Sequence, residues 1–147
     1  MRSNVKYENK TTSHSAGESH SMQQIPPYTE RETMIARGEL YSASLDPVVG
    51  SEQGGIRPVL VIQNDVGNRY SPTVIVLAVT GQLGKARLPT HVSVPAQGHG
   101  LTKDSVVLAE QIRTLDKRRL RERIGTLSPE LMEKVGEAVK ISLGFEI

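Results

Sequence analysis

The stretch that decides the fold is GSEQGGIRPVLVI, residues 50–62, in which a glycine-rich loop leads into a continuous apolar run. An apolar run such as residues 59–62 suits a β-strand that is covered on both faces. Residues 74–79, VIVLAV, form a second run of this kind. A membrane-spanning helix needs about 18 apolar residues, so runs of this length predict buried strands and no membrane association.

Shorter segments with β character lie on either side of these two runs. Residues 39–45 alternate loosely between polar and apolar, residues 91–94 alternate cleanly, and residues 105–108 are rich in β-branched side chains. The pair Gly67-Asn68 is typical of a turn. Five or six short strands separated by turn residues predict a small, closed antiparallel sheet or barrel.

Helices are fewer, and the clearest spans residues 128–143. Ser128 suits the N-cap, Pro129 suits the first helical position, and Gly144 suits the position after the last turn. The apolar residues between them recur at helical spacing and form one stripe. A second, short helix is predicted over residues 116–123. The sequence therefore predicts a mainly β fold with short helices and a C-terminal amphipathic helix.

The chain of 147 residues divides into two compositional parts. Residues 1–33 are polar and contain only two aliphatic residues larger than alanine, Val5 and Ile25. Such a segment cannot bury enough apolar surface to offset the entropy lost on ordering, so we expect a disordered N-terminal extension. Its charges cancel, and the net charge of +2 therefore belongs to one domain, residues 34–147.

The residue inventory excludes several classes of chemistry. The chain has no cysteine, which rules out a disulfide scaffold, a thiolate metal site and a cysteine nucleophile. His91 and His99 lack carboxylate partners at metal-ligand spacing, so no metal site is predicted. His91 can act as a general base near neutral pH or be a hydrogen-bonded structural histidine, and the sequence leaves both open.

Taken alone, the candidate residues also leave alternatives open. The glycine-rich loop, residues 48–58, can cradle a phosphate or be a flexible hairpin loop. Arg57 at the strand end can clamp a phosphate or extend into water, and Thr80 can approach a ligand or satisfy its own turn. Residues 113–123 hold six basic and two acidic residues, which is typical of a nucleic-acid surface or of a solvated face.

Longer motifs decide between these alternatives, because together they resemble the MazF/PemK family of toxin endoribonucleases, in its Gram-positive branch. The matching segments occur in one colinear order: RGELY (37–41), GSEQGGIRPVLVIQND (50–65), SPT (71–73), LPTHV (88–92) and EQIRT (110–114). The resemblance extends over the whole predicted domain.

The N-terminal segment is where the chain departs from this pattern. Family members usually begin a few residues before the Arg-Gly-Glu motif, where Met34 lies in this sequence. Residues 1–33 are therefore read either as a genuine extension or as a start-site misassignment.

The resemblance implies a small SH3-like barrel that forms a homodimer. It implies the toxin component of a type II toxin-antitoxin system, acting in the cytoplasm on single-stranded RNA, chiefly mRNA. Cleavage is expected at specific sequences, without metal or other cofactor, and to leave 2′,3′-cyclic phosphate and 5′-hydroxyl ends. A small MazE-like antitoxin with an acidic, disordered segment is the expected partner.

Carried over by motif, the catalytic residues are Arg57 and Thr80. The residues expected to bind RNA are Ser51, Glu52, Gln53, Gly54, Lys85, Arg87, His91, Gln111 and Arg113. Among them, Glu52 and Gln111 are the preferred base readers, with Gln53 behind them, because amide and carboxylate groups can read base edges. The three cations are expected to hold phosphates, which position the strand without reading it.

Two alternative functions remain at this stage. A relative with the same barrel poisons gyrase, but there the function lies in the C-terminal helix, whereas the helix here has an ordinary core-facing stripe. The other alternative is a non-catalytic RNA-binding barrel, which loss of cleavage on Arg57→Ala with an intact fold would exclude.

Overall fold

The computed structural model describes residues 34–82 and 87–145, and most of its strands arise from the apolar runs. In chain order the elements are β1 (Glu39–Ser44), β2 (Ile56–Val61), α1 (Asp65–Tyr70), β3 (Thr73–Thr80), β4 (His91–Val94), β5 (Ser105–Asp116), a 3₁₀ turn (Lys117–Arg119), β6 (Leu120–Thr126) and α2 (Pro129–Leu143). The predicted extension, residues 1–33, and the predicted RNA ligand Lys85 lie outside the described residues.

All six strands pair antiparallel in one sheet, in the order β4-β5-β3-β2-β1-β6. The mainly β architecture with a C-terminal helix is confirmed, but the expected closure of the sheet is not found within the described residues. The hydrogen-bonded order ends at β4 on one side and at β6 on the other.

The loop before β5 packs against β6 through two glycines. A Cβ atom on Gly100 would lie 2.2 Å from the carbonyl oxygen of Ile124, and one on Gly125 would lie 2.2 Å from that of His99. Gly100 also has a φ of +84°, which other residues rarely adopt. The backbone of this loop therefore lies directly against β6.

The core has two parts, one on each side of the sheet. On one side α2 packs over β-strand side chains, and the buried members include Leu40, Leu60, Leu77, Val79, Val135 and Ala138. On the other side the buried cluster includes Tyr41, Val59, Val61, Val74, Val76 and Leu115. Burial on both faces explains why β2 and β3 are continuously apolar in sequence.

The predicted C-terminal helix is confirmed, with its predicted caps. The Ser128 hydroxyl accepts a hydrogen bond from the Leu131 N–H at 3.2 Å, and Gly144 ends α2 with a φ of 77°. Val135 and Ala138 of the predicted apolar stripe are buried. None of the helices in the described ranges is long and apolar enough to span a membrane.

Two local predictions are wrong. The helix predicted over residues 116–123 is a three-residue 3₁₀ turn followed by β6, because pairing with β1 overrides the helical propensity of the charged residues. The Asp116 carboxylate caps this turn by accepting the Arg118 N–H at 2.8 Å. The turn predicted at Gly67-Asn68 lies inside α1.

Candidate active site

The register of the central strands places the two predicted catalytic residues on one face. Val59 of β2 lies opposite Ala78 of β3. Side chains two residues apart on a strand project from the same face, so Arg57, two residues before Val59, and Thr80, two residues after Ala78, lie on the face of this pair. Residues directly opposite each other in an antiparallel pair project from the same face with neighbouring Cβ atoms. The guanidinium and the hydroxyl therefore belong to one surface of the sheet.

The same surface continues across β5 and β4. Thr80 pairs with Val106 of β5, and Leu108 pairs with His91 of β4. Val106 and Leu108 are buried and form an apolar floor. Thr80 of β3 and His91 of β4 flank this floor, and the rigid backbone of the strands keeps their side chains at fixed positions.

A bulge in β5 brings two further polar residues to this surface. Ala78 pairs with Leu108, while the preceding residue Leu77 pairs with Ile112, so three residues of β5 lie between partners that are adjacent on β3. Glu110 and Gln111 belong to this bulge. Bulges of this type redirect side chains and are common beside active sites.

These elements enclose a cleft of about 190 Å³. It is lined by Ser51, Gln53, Thr80, Gln82, Arg87, His91, Val106, Leu108, Glu110 and Gln111. Six predicted site residues therefore meet in one cleft, although they come from positions 51 to 111 of the chain. The sequence prediction missed Glu110 and Gln82 as lining residues, although Glu110 stood beside Gln111 in the quoted motif.

His91 and Glu110 form a hydrogen-bonded pair at one wall of the cleft. The His91 Nε2 lies 3.1 Å from Glu110 Oε2, and Thr90 Oγ1 donates to Glu110 Oε1 at 2.7 Å. The Leu88 N–H donates to His91 Nδ1 at 3.1 Å, which assigns the ring proton to Nε2. Both ring nitrogens are thus engaged, which fits the structural reading of His91 better than the general-base reading.

The environment of Glu110 favours its ionised form. Burial alone would raise the pKa of this carboxyl group, but the hydrogen bonds from Thr90 and His91 outweigh it, and the pKa lies below its ordinary value. The Glu110 carboxylate is therefore a hydrogen-bond acceptor throughout the neutral range. Its Oε1 accepts from Thr90 and its Oε2 from His91.

This lowered pKa predicts a dependence of stability on pH. A carboxyl group whose pKa is lower in the folded state stabilises the fold above its ordinary pKa of 4.5, and that stabilisation is lost as the pH falls through the lowered value. We expect Glu110→Gln to reduce the loss of unfolding free energy between neutral pH and about pH 3. Urea unfolding at both pH values measures it, with the exposed Glu122→Gln as control. An unchanged pH dependence in Glu110→Gln would contradict the assignment.

The glycine-rich loop forms the opposite wall of the cleft. The Gln53 backbone N–H donates to Gln111 Oε1 at 3.1 Å, which fixes the orientation of the Gln111 amide. The side-chain oxygen of Gln53 is buried and has no partner in the described part of the chain. The Gln111 amide nitrogen thus remains as a donor for a ligand, whereas the Gln53 oxygen is buried.

The other predicted residues of this loop have structural contacts. The Glu52 carboxylate accepts the Val49 N–H at 2.8 Å, within the loop itself. A Cβ atom on Gly54 would lie 2.6 Å from a methyl group of Val48 and 2.8 Å from the Asp46 carboxylate. Gly54 is therefore required by the packing of the loop, and neither residue lines the cleft.

Arg57 does not itself line the cleft and is held by the end of the glycine-rich loop. Its Nε donates to the Gly54 carbonyl oxygen at 2.8 Å. The two terminal guanidinium nitrogens make no hydrogen bond to any group in the described ranges. A guanidinium fixed through Nε presents its remaining N–H groups as a fork, which suits a phosphate.

The remaining predicted cations divide into two kinds. Arg87 lines the cleft and donates to Ser93 Oγ at 2.7 Å, so it stays at the rim. Arg113 does not line the cleft, because its Nη2 donates to the Leu45 carbonyl oxygen at 3.1 Å and its Nη1 is buried. Its predicted role as a phosphate ligand does not fit this position.

No group of three or more His, Cys, Asp or Glu residues in the described ranges could hold a metal ion. The polar groups at the cleft are instead amides, a hydroxyl, guanidinium groups and one histidine–carboxylate pair. This combination fits a ligand that is long, polar and phosphorylated. Fold and cleft thus define a small β-sheet protein with a polar cleft that suits a phosphorylated ligand.

The chain belongs to the PemK-like, MazF-like toxins of type II toxin-antitoxin systems, because a family model of that description matches residues 36–143. It is 61% identical to Endoribonuclease EndoA of Bacillus subtilis (strain 168) over 110 residues, which are 75% of this chain and 95% of the relative.

Solved structures of similar proteins agree with this membership. MazF from Deinococcus radiodurans matches with a TM-score of 0.66 and 29% identity, over 76% of this chain and 98% of that one. An endoribonuclease in complex with its cognate antitoxin, from a mycobacterial species, matches with a TM-score of 0.65 and 27% identity, over 77% and 98% of the two chains.

Proposed function

We propose that this toxin is an endoribonuclease that cuts single-stranded RNA, chiefly mRNA, at a specific short sequence and without a metal ion. The observation that carries the proposal is that Arg57 and Thr80 lie on one face of the sheet and that Thr80 lines the polar cleft on it. The similarity to an endoribonuclease at 61% identity supports it.

The proposed chemistry is an intramolecular displacement at phosphorus. The 2′-oxygen of the ribose attacks the phosphorus and loses its proton, and the 5′-oxygen of the next nucleotide leaves and gains one. The products are a 2′,3′-cyclic phosphate and a 5′-hydroxyl. The pentavalent intermediate carries more negative charge than the starting diester, so donors that contact its oxygens accelerate the reaction.

Arg57 and Thr80 are suited to donate to those oxygens. The Arg57 fork can contact two equatorial oxygens and binds more strongly as their charge grows. Thr80 Oγ1 already accepts the Gln82 N–H at 3.2 Å, so its own proton is available for donation. We assign charge stabilisation to Arg57 in preference to proton transfer, because a guanidinium stays charged at neutral pH and is a poor base.

Removal of the Thr80 hydroxyl provides a test of its donor role. We expect Thr80→Val to lower kcat by about 10²-fold, the usual loss for one transition-state donor, with little change in RNA affinity. Thr80 is 7% exposed, so the isosteric valine also tests whether packing is preserved. Single-turnover cleavage rates and the thermal midpoint measure the two effects. Wild-type kcat in a folded Thr80→Val protein would remove Thr80 from the mechanism.

Recognition of the RNA sequence is assigned to the loop wall of the cleft. The Gln111 amide nitrogen offers a hydrogen bond to the edge of an unstacked base, and Gln53 lines the cleft beside it. Ser51 and Arg87 line the same cleft and are proposed to contact the sugar–phosphate backbone. Glu52, engaged within the loop, is proposed to read a base only after its contact with Val49 is exchanged.

The proposed partner is a small antitoxin with an acidic segment. The guanidinium groups of Arg57 and Arg87 would bind carboxylates in place of phosphates, so antitoxin and RNA would compete for the cleft. A similar endoribonuclease has been solved in complex with its cognate antitoxin, which supports this assignment. We further propose a homodimer that acts in the cytoplasm, where mRNA is translated.

The decisive experiment is a cleavage assay in EDTA. Purified protein is incubated with a long, unstructured RNA, and the ends are mapped by primer extension. Discrete cuts with 5′-hydroxyl ends that persist in EDTA would support the proposal and identify the recognised sequence. RNA binding without cuts would favour a non-catalytic RNA-binding protein, and neither binding nor cuts would direct the test to gyrase.

A further inference from the structure

The basic run at residues 113–123 has a different role from the RNA surface that its composition suggests. Arg118 pairs with Asp116, whose pKa it lowers to about 2, and Arg123 pairs with Glu39 at 2.9 Å. The Lys117 ammonium donates to a backbone carbonyl oxygen of α1. These three cations have partners within the fold. Of the remaining three, Arg121 is exposed, whereas Arg113 and Arg119 contact residues 44–46, which lead into the glycine-rich loop.

Arg113 and Arg119 bind three consecutive carbonyl groups at the start of this loop. Arg119 Nη1 donates to the Ser44 carbonyl oxygen at 3.1 Å and also to that of Asp46. Arg113 Nη2 donates to the carbonyl oxygen of Leu45, between them. Two guanidinium groups from distant positions in the chain thus fix the point at which β1 ends and the loop begins.

The end of the loop is tied to the same point. The Gly55 N–H donates to Asp46 Oδ1 at 2.9 Å, and the Leu45 N–H donates to the Gly55 carbonyl oxygen at 2.9 Å. Inside the loop, the Gln53 N–H contacts Gln111 Oε1. A shift of residues 44–46 would therefore move Gly55, and with it the segment that carries Gln53 along the cleft.

The burial of Arg113 argues against a purely stabilising role. Its Nη1 is buried with no partner in the described ranges, and an unpaired buried donor costs free energy. An apolar side chain would pack there without that cost. The presence of an arginine at position 113 is explained if its Nη2 contact with the Leu45 carbonyl oxygen fixes the start of the loop.

We propose that Arg119 and Arg113 are positioning residues for RNA recognition, which act by fixing the ends of the loop that presents Gln53 to the cleft. This inference rests on the proposed ribonuclease function. Neither residue contacts RNA, so their removal lowers the discrimination between RNA sequences and leaves the number of phosphate contacts unchanged.

The test compares Arg119→Gln with Arg121→Gln, which removes the same charge from an exposed neighbour on β6. We expect Arg119→Gln to lower the ratio of kcat/KM between the cognate RNA and its single-base variants by about 10-fold, whereas Arg121→Gln leaves this ratio unchanged. Arg119→Lys should restore most of the ratio, because an ammonium can also donate to two carbonyl groups.

A second readout needs no RNA and separates this inference from the ribonuclease proposal. Amide hydrogen exchange at Gly55 and Gln53 should become at least about 10-fold faster in Arg119→Gln and stay unchanged in Arg121→Gln. Arg113→Met, which retains an alkyl chain of similar length, should act in the same direction if Arg119→Gln is too unstable to purify.

Two results would overturn the inference. One is unchanged exchange at Gly55 and Gln53 in the Arg119 and Arg113 variants. The other is found if Arg119→Gln leaves the discrimination ratio unchanged but lowers the salt dependence of RNA binding by about one phosphate contact. Arg119 would then be a direct phosphate ligand. Absence of cleavage by the wild-type protein, with faster exchange in the variants, would instead reject the ribonuclease function and keep the loop contact.

Discussion

Arg57→Ala is expected to lower the rate of RNA cleavage by about 10³-fold while the protein remains folded. The guanidinium is held through Nε by the Gly54 carbonyl oxygen, and its terminal nitrogens are available to the phosphate. Alanine removes every one of these donors. Single-turnover cleavage at the mapped site measures the loss, and circular dichroism checks the fold.

Two further variants distinguish the possible roles of Arg57. Arg57→Lys keeps the charge but loses the fork and the Nε contact, so we expect it to recover only a small part of the rate. Arg69→Ala removes a guanidinium from α1, where it lies 5.7 Å from the ring centre of Tyr70, and should leave cleavage unchanged. Near-wild-type cleavage by Arg57→Lys would show that charge alone is sufficient and that the fork is not needed.

Gly125→Ala is expected to lower the free energy of unfolding by about 3 kcal/mol. The added Cβ would lie 2.2 Å from the His99 carbonyl oxygen, and a backbone atom cannot move aside as a flexible side chain can. The loop before β5 and β6 would have to separate. Urea denaturation of both proteins measures the difference.

Gly136→Ala is the matched control for this substitution. Nothing lies within 4 Å of a Cβ atom at this position, and the residue is inside α2. The same change should therefore stabilise the protein slightly, by up to about 1 kcal/mol, because alanine favours the helix. Equal effects of the two substitutions would mean that the contact of the loop with β6 does not contribute to stability.

The fold could be predicted where one short segment determines its own structure. The apolar run of β3, the alternation of β4 and the capped stripe of α2 each appear in consecutive residues. β6 could not be predicted in this way, because its charged residues form a strand only through pairing with β1. The prediction of a closed sheet was wrong for a similar reason. The loop before β5 packs against β6 through Gly100 and Gly125, and no sequence pattern reveals a contact between such distant residues.

The candidate site was predicted from motifs more than from side-chain patterns. Arg57 and Thr80 are 23 positions apart in the chain, and only the pairing of β2 with β3 places them on one face of the sheet. Glu110 was missed because its contact with His91 depends on the bulge in β5. Arg113 was predicted to bind phosphate because the sequence shows its charge. The sequence does not show that the Leu45 carbonyl oxygen accepts a hydrogen bond from its guanidinium.

The open sheet also bears on how this protein resists aggregation. An unpaired strand edge is a template on which another chain can add a strand. At one edge of the described sheet, β4 has only four residues, and at the other, β6 carries three exposed charged residues, Arg121, Glu122 and Arg123. Short length and charge each oppose the addition of a strand. These features oppose growth of the sheet by addition of further strands at its two edges.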